Sequence, residues 1–295
     1  MTPYLANSES HVTMPAFPRR SAVSDHTAHA VGLRLEKERR LIEHALALYK
    51  DQGLGTTLHT RMRHWLCPLE AIEAHVPRAG RVLDVGCGHG LFTVLVALAS
   101  PDRDVLGVDP APTKIAAAQR AGARVPNVAF QQGTADDAPP GPYAAVTITD
   151  VLYLLPRDVK AAILRRSHEL LAPDGVLVLK TNDKHPRWKY AVAYAQEKLM
   201  TALGLTLSEH SLHFYSSQEH LALLDEVGFD AERHMLPSWT PYPHVVFVGR
   251  KKPAGENRQL LDRINAAYED GLDLSEQAFL RSIRRRHRQI MEGEW

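Results

Sequence analysis

The run Val82-Leu83-Asp84-Val85-Gly86-Cys87-Gly88-His89-Gly90 carries one acid through an apolar stretch and ends in three glycines spaced two apart. Glycine costs backbone entropy, so its repeated use here implies that something approaches the bare backbone. A strand that ends in glycines and opens a helix offers free amides to a nucleotide or an anion. A dinucleotide asks for G-x-G-x-x-G, whereas here Leu91 stands where the third glycine would fall. Asp84 adds a carboxylate that suits an ammonium group, directly or through water, better than a pyrophosphate. Asp109 ends the next apolar run, where a carboxylate accepts from both hydroxyls of a ribose. "GTADD" (133–137) and "TDVLYLL" (149–155) end the two runs after that, at the adjacent edge where an adenine ring would lie.

These residues need a scaffold that brings strand ends together. "RVLDVGC", "DVLGVD", "NVAFQQG", "YAAVTITDVLYLL" and "VLVLKTN" read as five strands separated by helical stretches. They lack two-sided alternation, as strands covered on both faces do. "AERHMLP" and "HVVFVGRK" add a closing antiparallel pair. Repeated βα units predict an α/β fold with a doubly wound, mostly parallel, Rossmann-like sheet. Four regions follow: a flexible arm at 1–30, a helical lid at 31–78, a core at 79–252 with a helical insertion at 183–215, and a helical tail at 253–295. In the lid, Leu41, Ile42, Ala45, Leu46 and Leu48 share a face; "DQGLGTT" breaks the pattern, and a second stretch carries Trp65, Leu66, Leu69 and Ile72. In the insertion "RWKYAVAYAQEKLMTAL" is helical, and "SSQEHLALLDEVGFD" is a helix with a serine cap, a glutamate three positions on and a glycine stop.

With 35 basic and 34 acidic residues the formal net charge is +1, so the molecule as a whole is not built for nucleic acid. Cys67 and Cys87 are too few for a disulfide framework, which points to a reducing, cytoplasmic setting. No run reaches the length of a membrane span, and the N-terminus lacks the basic start and apolar region of a secretory signal. The 16 histidines are scattered without metal-ligand spacing, so no metal is expected.

At this point the chain resembles the class I, seven-stranded S-adenosylmethionine-dependent methyltransferases. "VLDVGCGHG" matches their first motif and "VLGVDPAPTKIAAA" their second. "VAFQQGTADDAPPGPYAAVTITDVLYLLP" is similar to the third and fourth, and "LLAPDGVLVLK" to the entry into the fifth strand. "DVLYLLP" and "LLAPDGVLVL" resemble the small-molecule and lipid branch, of quinone-biosynthesis type. The DNA-base branch has Asp/Asn-Pro-Pro-Tyr/Phe where Asp150-Val151-Leu152-Tyr153 stands. The resemblance implies S-adenosylmethionine as cofactor. It places Asp84, Gly86, Cys87, Gly88 and Gly90 around the methionine moiety, and Asp109 on the ribose with Pro110 beside it. Thr134, Ala135 and Asp136 fall at the adenine edge, and Asp150 and Val151 beside the sulfonium. The family often has an acid where Thr134 stands, so that role shifts to Asp136. His89 faces either the cofactor carboxylate or solvent.

Methyl transfer is an in-line displacement in which positioning supplies most of the acceleration, and a base matters when the acceptor must lose a proton. Candidates on the acceptor side are Tyr153, His185 and His213, with His210, Trp188 and Tyr190 nearby; each also has a plain packing or loop reading. Arg61, Arg63, His64 and Trp65 reach over the cofactor or form a surface helix. The expected activity is methylation of a small-molecule or lipid-like acceptor of aromatic or polyketide type. Arg281, Arg284, Arg285, Arg286 and Arg288 either form a solvated face or meet an anionic head group or an acyl carrier protein. RNA or protein methylation and non-catalytic cofactor binding are the competing readings.

Overall fold

The computed structural model of the chain describes residues 36, 39–202, 212–236 and 240–252. The arm at 1–30, His210, and the tail at 253–295 with its arginine cluster lie outside the described residues. Two compact units divide the chain, Met1–Arg40 and Leu41–Trp295. The first is described only at Glu36, Arg39 and Arg40, where Arg40 Nη2 lies 2.7 Å from Glu36 Oε1. All that follows concerns the second unit.

It opens with helix α1 (41–47), α2 (Leu54–Leu66) and α3 (Leu69–Glu73). The "DQGLGTT" break falls instead at 48–53, between the end of α1 and Gly53, which caps α2 at a φ of 87°, and Gly55 falls inside the first turn of α2. The second helical stretch is itself split, because Pro68 has no amide to continue α2. The sheet then forms from β1 (Gly80–Val85), β2 (Arg103–Asp109), β3 (Val128–Gln132), β4 (Tyr143–Thr149), β5 (Leu171–Asn182), β6 (Phe229–Met235) and β7 (His244–Lys251). Its helices are α4 (Leu91–Ala99), α5 (Pro112–Gly122), α6 (Arg157–Leu170), α7 (Arg187–Ala202) and α8 (Ser217–Glu226).

The seven strands lie in the order β3-β2-β1-β4-β5-β7-β6. β1 pairs in parallel with β2 and β4, and β7 pairs antiparallel with both β5 and β6. Successive strand residues point to opposite faces, and both faces are covered. Val82, Val105, Val178 and Val246 pack in one buried cluster with α1, α3, α4 and α5 residues such as Ile42, Ile72, Val94 and Ile115. Leu83, Ile148, Leu179 and Phe247 pack in the other with Leu164 of α6 and Leu223 and Leu224 of α8. This two-sided burial is why the strands read as continuous apolar runs.

The fourth run, "YAAVTITDVLYLL", is a strand as far as Thr149 and then runs out into a short turn, as its sequence reads. Asp150 turns the chain at a φ of 59°, and Leu152–Leu154 form a short 3-10 turn. The capping box of α8 is present: Ser216 Oγ accepts from the Glu219 amide, and the Glu219 carboxylate accepts from the Ser216 amide. Arg103 ties α3 to the sheet. Its buried guanidinium donates to Glu73 Oε1 at 2.6 Å and to the Val76, Pro77 and Val96 carbonyls at 2.7 Å each. Among the described residues no helix is long and apolar enough to cross a membrane.

Candidate functional site

The direction of winding reverses between β1 and β4, and ligands of open α/β sheets bind outside the strand ends at such a point. A cleft of about 410 Å³ opens there, within the roughly 300–1,000 Å³ of small-molecule sites.

The three glycines of the β1 turn serve different ends. Gly86, at φ 74°, would place a Cβ 2.4 Å from Val151 Cγ2, so its bareness lets the β4 loop close over β1. Gly90, at φ 80°, would strike Phe130 at 2.6 Å and Ala118 at 2.8 Å; it packs α4 and does not line the cleft. A Cβ on Gly88, at φ 56°, would meet nothing within 4 Å and would project into open space. Only Gly88 therefore keeps room for a ligand. Its amide donates to Asp109 Oδ2 at 2.9 Å, and the Ala111 amide donates to Asp109 Oδ1 at 2.9 Å. These bonds orient a carboxylate whose remaining lone pairs are free to accept hydroxyls.

Asp84 is 3% exposed. It accepts Thr93 Oγ1 at 2.6 Å and Thr147 Oγ1 at 2.7 Å, and burial raises its pKa against those bonds. It lines the cleft with Cys87, whose thiol burial pushes well above its ordinary range, leaving an uncharged packing group. Pro110, Thr134 and Ala135 also line the cleft, as do Asp150 and Val151. Asp136 does not: it is exposed, with Arg166 Nε 3.8 Å away. The acid that shapes this loop is its neighbour, since Asp137 Oδ2 accepts the Thr134 amide at 2.8 Å and hydroxyl at 3.0 Å.

His89 lines the cleft and its ring lies 4.5 Å from that of His59 on α2, while its carbonyl accepts Tyr49 Oη at 2.8 Å. Burial, then the nearby His89, Arg63 and Lys114, push His59 down to about 4. His59 escaped the sequence reading, because nothing local marks a helical histidine as a cleft residue.

On the acceptor side the expected histidines are not brought in. His185 is exposed and His213 is used through its backbone: its amide donates to the Tyr153 carbonyl at 2.7 Å and its carbonyl accepts from Lys160 Nζ. Neither lines the cleft. Tyr153 does, but it is also 4% exposed and stacked on Phe214 at 4.7 Å, so packing holds its ring. What the fold assembles instead is a buried charge cluster. Asp150 Oδ1 lies 2.5 Å from Lys180 Nζ on β5, and Oδ2 lies 3.0 Å from Arg63 Nη1 on α2. Burial opposes the Asp150 charge, and the two cations outweigh it, holding the carboxyl below its ordinary range. Arg63 is thus part of the site rather than of a plain surface helix, whereas Trp65 is 56% exposed. Lys180 was missed, although a lysine inside an otherwise apolar strand was its signal. Beside them His244 is pushed down to about 3, chiefly by burial and then by Lys180, and stays neutral.

A family model described as "Methyltransferase domain" matches residues 39–234. Among curated relatives, a trans-aconitate 2-methyltransferase of Methylobacterium nodulans is 36% identical over 119 residues, 39% of this chain and 44% of that protein. A ubiquinone biosynthesis O-methyltransferase of Azorhizobium caulinodans is 38% identical over 106 residues, 34% of this chain and 40% of that protein. The chain thus matches less than half the length of either relative. The crystal structure of the S-adenosylmethionine-dependent methyltransferase SibL superposes with a TM-score of 0.54 at 21% identity, covering 67% of this chain and 57% of that one. The mitomycin 7-O-methyltransferase MmcR gives 0.54 at 19%, covering 69% and 59%. At these identities the likeness is one of fold.

Proposed function

Because this chain belongs to the methyltransferase-domain family of class I, S-adenosylmethionine-dependent enzymes, we propose that it transfers a methyl group from that cofactor to a small molecule with an apolar or aromatic body. The observation that carries the reading is the cradle over Gly88: open space above a left-handed glycine whose own amide orients Asp109. The residues present fit the cofactor. Asp109 accepts the ribose hydroxyls, Asp84 offers its remaining lone pairs to the ammonium group, and Gly133, Thr134 and Ala135 border the adenine side. When bound, the cofactor supplies an electrophilic methyl group on a good leaving group. The chain's own work is to hold the acceptor in line and to keep water out. Met62, Leu66, Leu154, Leu155, Val159 and Ile163 give the rest of the cleft an apolar lining.

Two curated relatives, one named for trans-aconitate and one for ubiquinone biosynthesis, support the acceptor class. With Cys67 and Cys87 both free, we place the protein in a reducing, cytoplasmic setting. Delivery of the acceptor on a carrier protein rests on the Arg281–Arg288 cluster, outside the described residues.

The test has two readouts. Calorimetry reports whether S-adenosylmethionine binds. Methyl-labelled cofactor incubated with host extract then reports where label goes. Label in a small-molecule or organic-soluble fraction supports the reading, and label on protein would favour carrier delivery or a protein acceptor. Binding without any transfer would turn the protein into a cofactor-binding module.

A further inference from the structure

Four side chains share one face of the sheet at the edge of the cleft. Thr149, the last residue of β4, sits in register with Lys180 of β5, and Asn182 follows two positions on. Asn182 in turn pairs across the antiparallel ladder with His244, the first residue of β7. Side chains two apart on a strand, and those directly opposite on its neighbour, point to the same side. All four residues line the cleft. Lys180 Nζ is paired with Asp150 at 2.5 Å. Thr149, Asn182 and His244 are 7%, 6% and 3% exposed, yet Thr149 Oγ1, Asn182 Oδ1 and His244 Nδ1 have no hydrogen bond among the described residues. Buried polar atoms are nearly always partnered, so three such atoms on one wall of a cleft mark where the polar group of a ligand belongs.

The chemistry of these atoms says what that group is. The Leu66 carbonyl lies 2.8 Å from His244 Nε2, and Thr240 Oγ1 meets the same nitrogen at 3.1 Å. A carbonyl only accepts, so Nε2 carries the ring proton and Nδ1 presents a lone pair. Asn182 Oδ1 is an acceptor as well. An anionic oxygen finds no donor in either atom. A charged amine is opposed too: burial, and then Lys180, push His244 down to about 3, and surroundings that keep a proton off the ring disfavour an ammonium group beside it. Two neighbouring acceptors in such a place fit an uncharged nitrogen with two N–H bonds.

We propose that the methyl acceptor is a neutral primary aryl or heteroaryl amine, its two N–H bonds donated to His244 Nδ1 and Asn182 Oδ1 and its ring set against Met62, Leu66, Leu154 and Val159. The inference rests on the methyltransferase reading and names the acceptor class within it. The Thr149 hydroxyl, which can donate or accept, is left for a polar atom of the ring. With both hydrogens held by the wall, the nitrogen lone pair points away from it into the cleft. That pair forms the new N–CH3 bond, the S–CH3 bond breaks, and its electrons stay on sulfur. The positive charge passes to nitrogen, which sheds one of its two protons through His244 Nδ1 to water. No base is needed beforehand, because the neutral amine already carries the attacking pair, in accord with His185 and His213 lying outside the cleft.

The test uses arylamines of one to three rings, each matched with the phenol, carboxylic acid and benzylic amine of the same body, supplied with the full-length protein and methyl-labelled cofactor. Acceptor binding is read separately by calorimetry with S-adenosylhomocysteine present. Label is expected on the arylamine nitrogen, located by mass spectrometry, and on no matched phenol, acid or benzylic amine. Asn182→Leu removes an oxygen that the fold leaves unpaired, so its melting temperature should match or exceed that of the wild type, while arylamine Kd rises roughly tenfold and cofactor Kd stays within about threefold. A merely structural asparagine would show the reverse. His244→Gln keeps a donor for the Leu66 carbonyl and loses the Nδ1 acceptor; a roughly tenfold loss of transfer at saturating cofactor is expected. Label preferring phenols, acids or benzylic amines overturns the proposal, as does unchanged arylamine binding in Asn182→Leu, or cofactor binding with no label on any arylamine. Failure of the underlying reading shows separately, as no cofactor binding in the wild-type protein.

Discussion

A methyl group added at position 88 would enter open cleft, whereas the same group at position 86 would lie 2.4 Å from Val151 Cγ2. The two substitutions should therefore part company. Gly88→Ala strains a left-handed backbone by about 1–2 kcal/mol, and its added methyl occupies ligand space. A modest fall in melting temperature with at least a tenfold weaker cofactor Kd is expected, read by thermal shift and calorimetry. Gly86→Ala should lose stability before affinity can be measured. If Gly88→Ala binds cofactor as the wild type does, the cradle has been misplaced. Asp109→Ala removes the acceptor oriented by the Gly88 and Ala111 amides. It should cost about 1–3 kcal/mol of cofactor binding, and an unchanged Kd would remove the ribose from this position. These residues were legible in the sequence because their signal is short in range: an acid and a glycine turn within nine residues, and an acid ending the next strand. Asp136 lies outside the cleft, and which of the two adjacent acids turns back onto the Thr134 amide is decided by the fold, not by local sequence.

Among elements, one buried guanidinium adds polar bonds to the apolar packing that joins α3 to the sheet. Arg103 satisfies Glu73 and three backbone carbonyls from inside the protein. Arg103→Met leaves those carbonyls bare, although Glu73 keeps Arg78 at 2.8 Å. Breaking a buried pair costs about 3–5 kcal/mol, and the retained partner places the expected loss near 3. Urea unfolding would check it, and a loss under about 1 kcal/mol would show that α3 is held by its apolar face alone. The strand and helix order was readable, because two-sided burial leaves an unbroken apolar signature. Element ends were less so. The end of β4 at Thr149 and the split at Pro68 depend on a left-handed aspartate and a missing amide, not on periodicity.

Across the whole molecule, buried neutral histidines set the response to acid. Burial pushes His59 and His220 down to about 4 and His244 to about 3, from an ordinary 6.5. Between those limits the unfolded chain takes up protons that the folded chain refuses. Stability is thus complete above pH 6.5 and falls as pH drops toward 4, by up to about 1.4 kcal/mol per pH unit for each such histidine. Glu219, held at about 2 by the Ser216 amide and Lys184, contributes only below its ordinary 4.5 and lies outside the upper part of that window. A melting temperature that declines steadily from pH 6.5 to 5 is expected; a flat profile there would show that these rings accept protons in the folded state.

The run of apolar segments, the glycine spacing and the acids at the first two strand ends were sufficient by themselves to mark the strands of the sheet and the residues at their ends that line the cleft. Each is a local pattern whose meaning survives without knowledge of its neighbours. The charge cluster at Asp150 was decided only by tertiary structure. Arg63, Asp150 and Lys180 are separated by 87 and 30 positions, and no periodicity links them; their charges matter because parallel pairing of β4 with β5 and the seating of α2 bring them within 3.0 Å of one carboxylate. For the same reason the histidines at 185 and 213 carried no address of their own, since a side chain's distance from a cleft is set by how the chain returns to it.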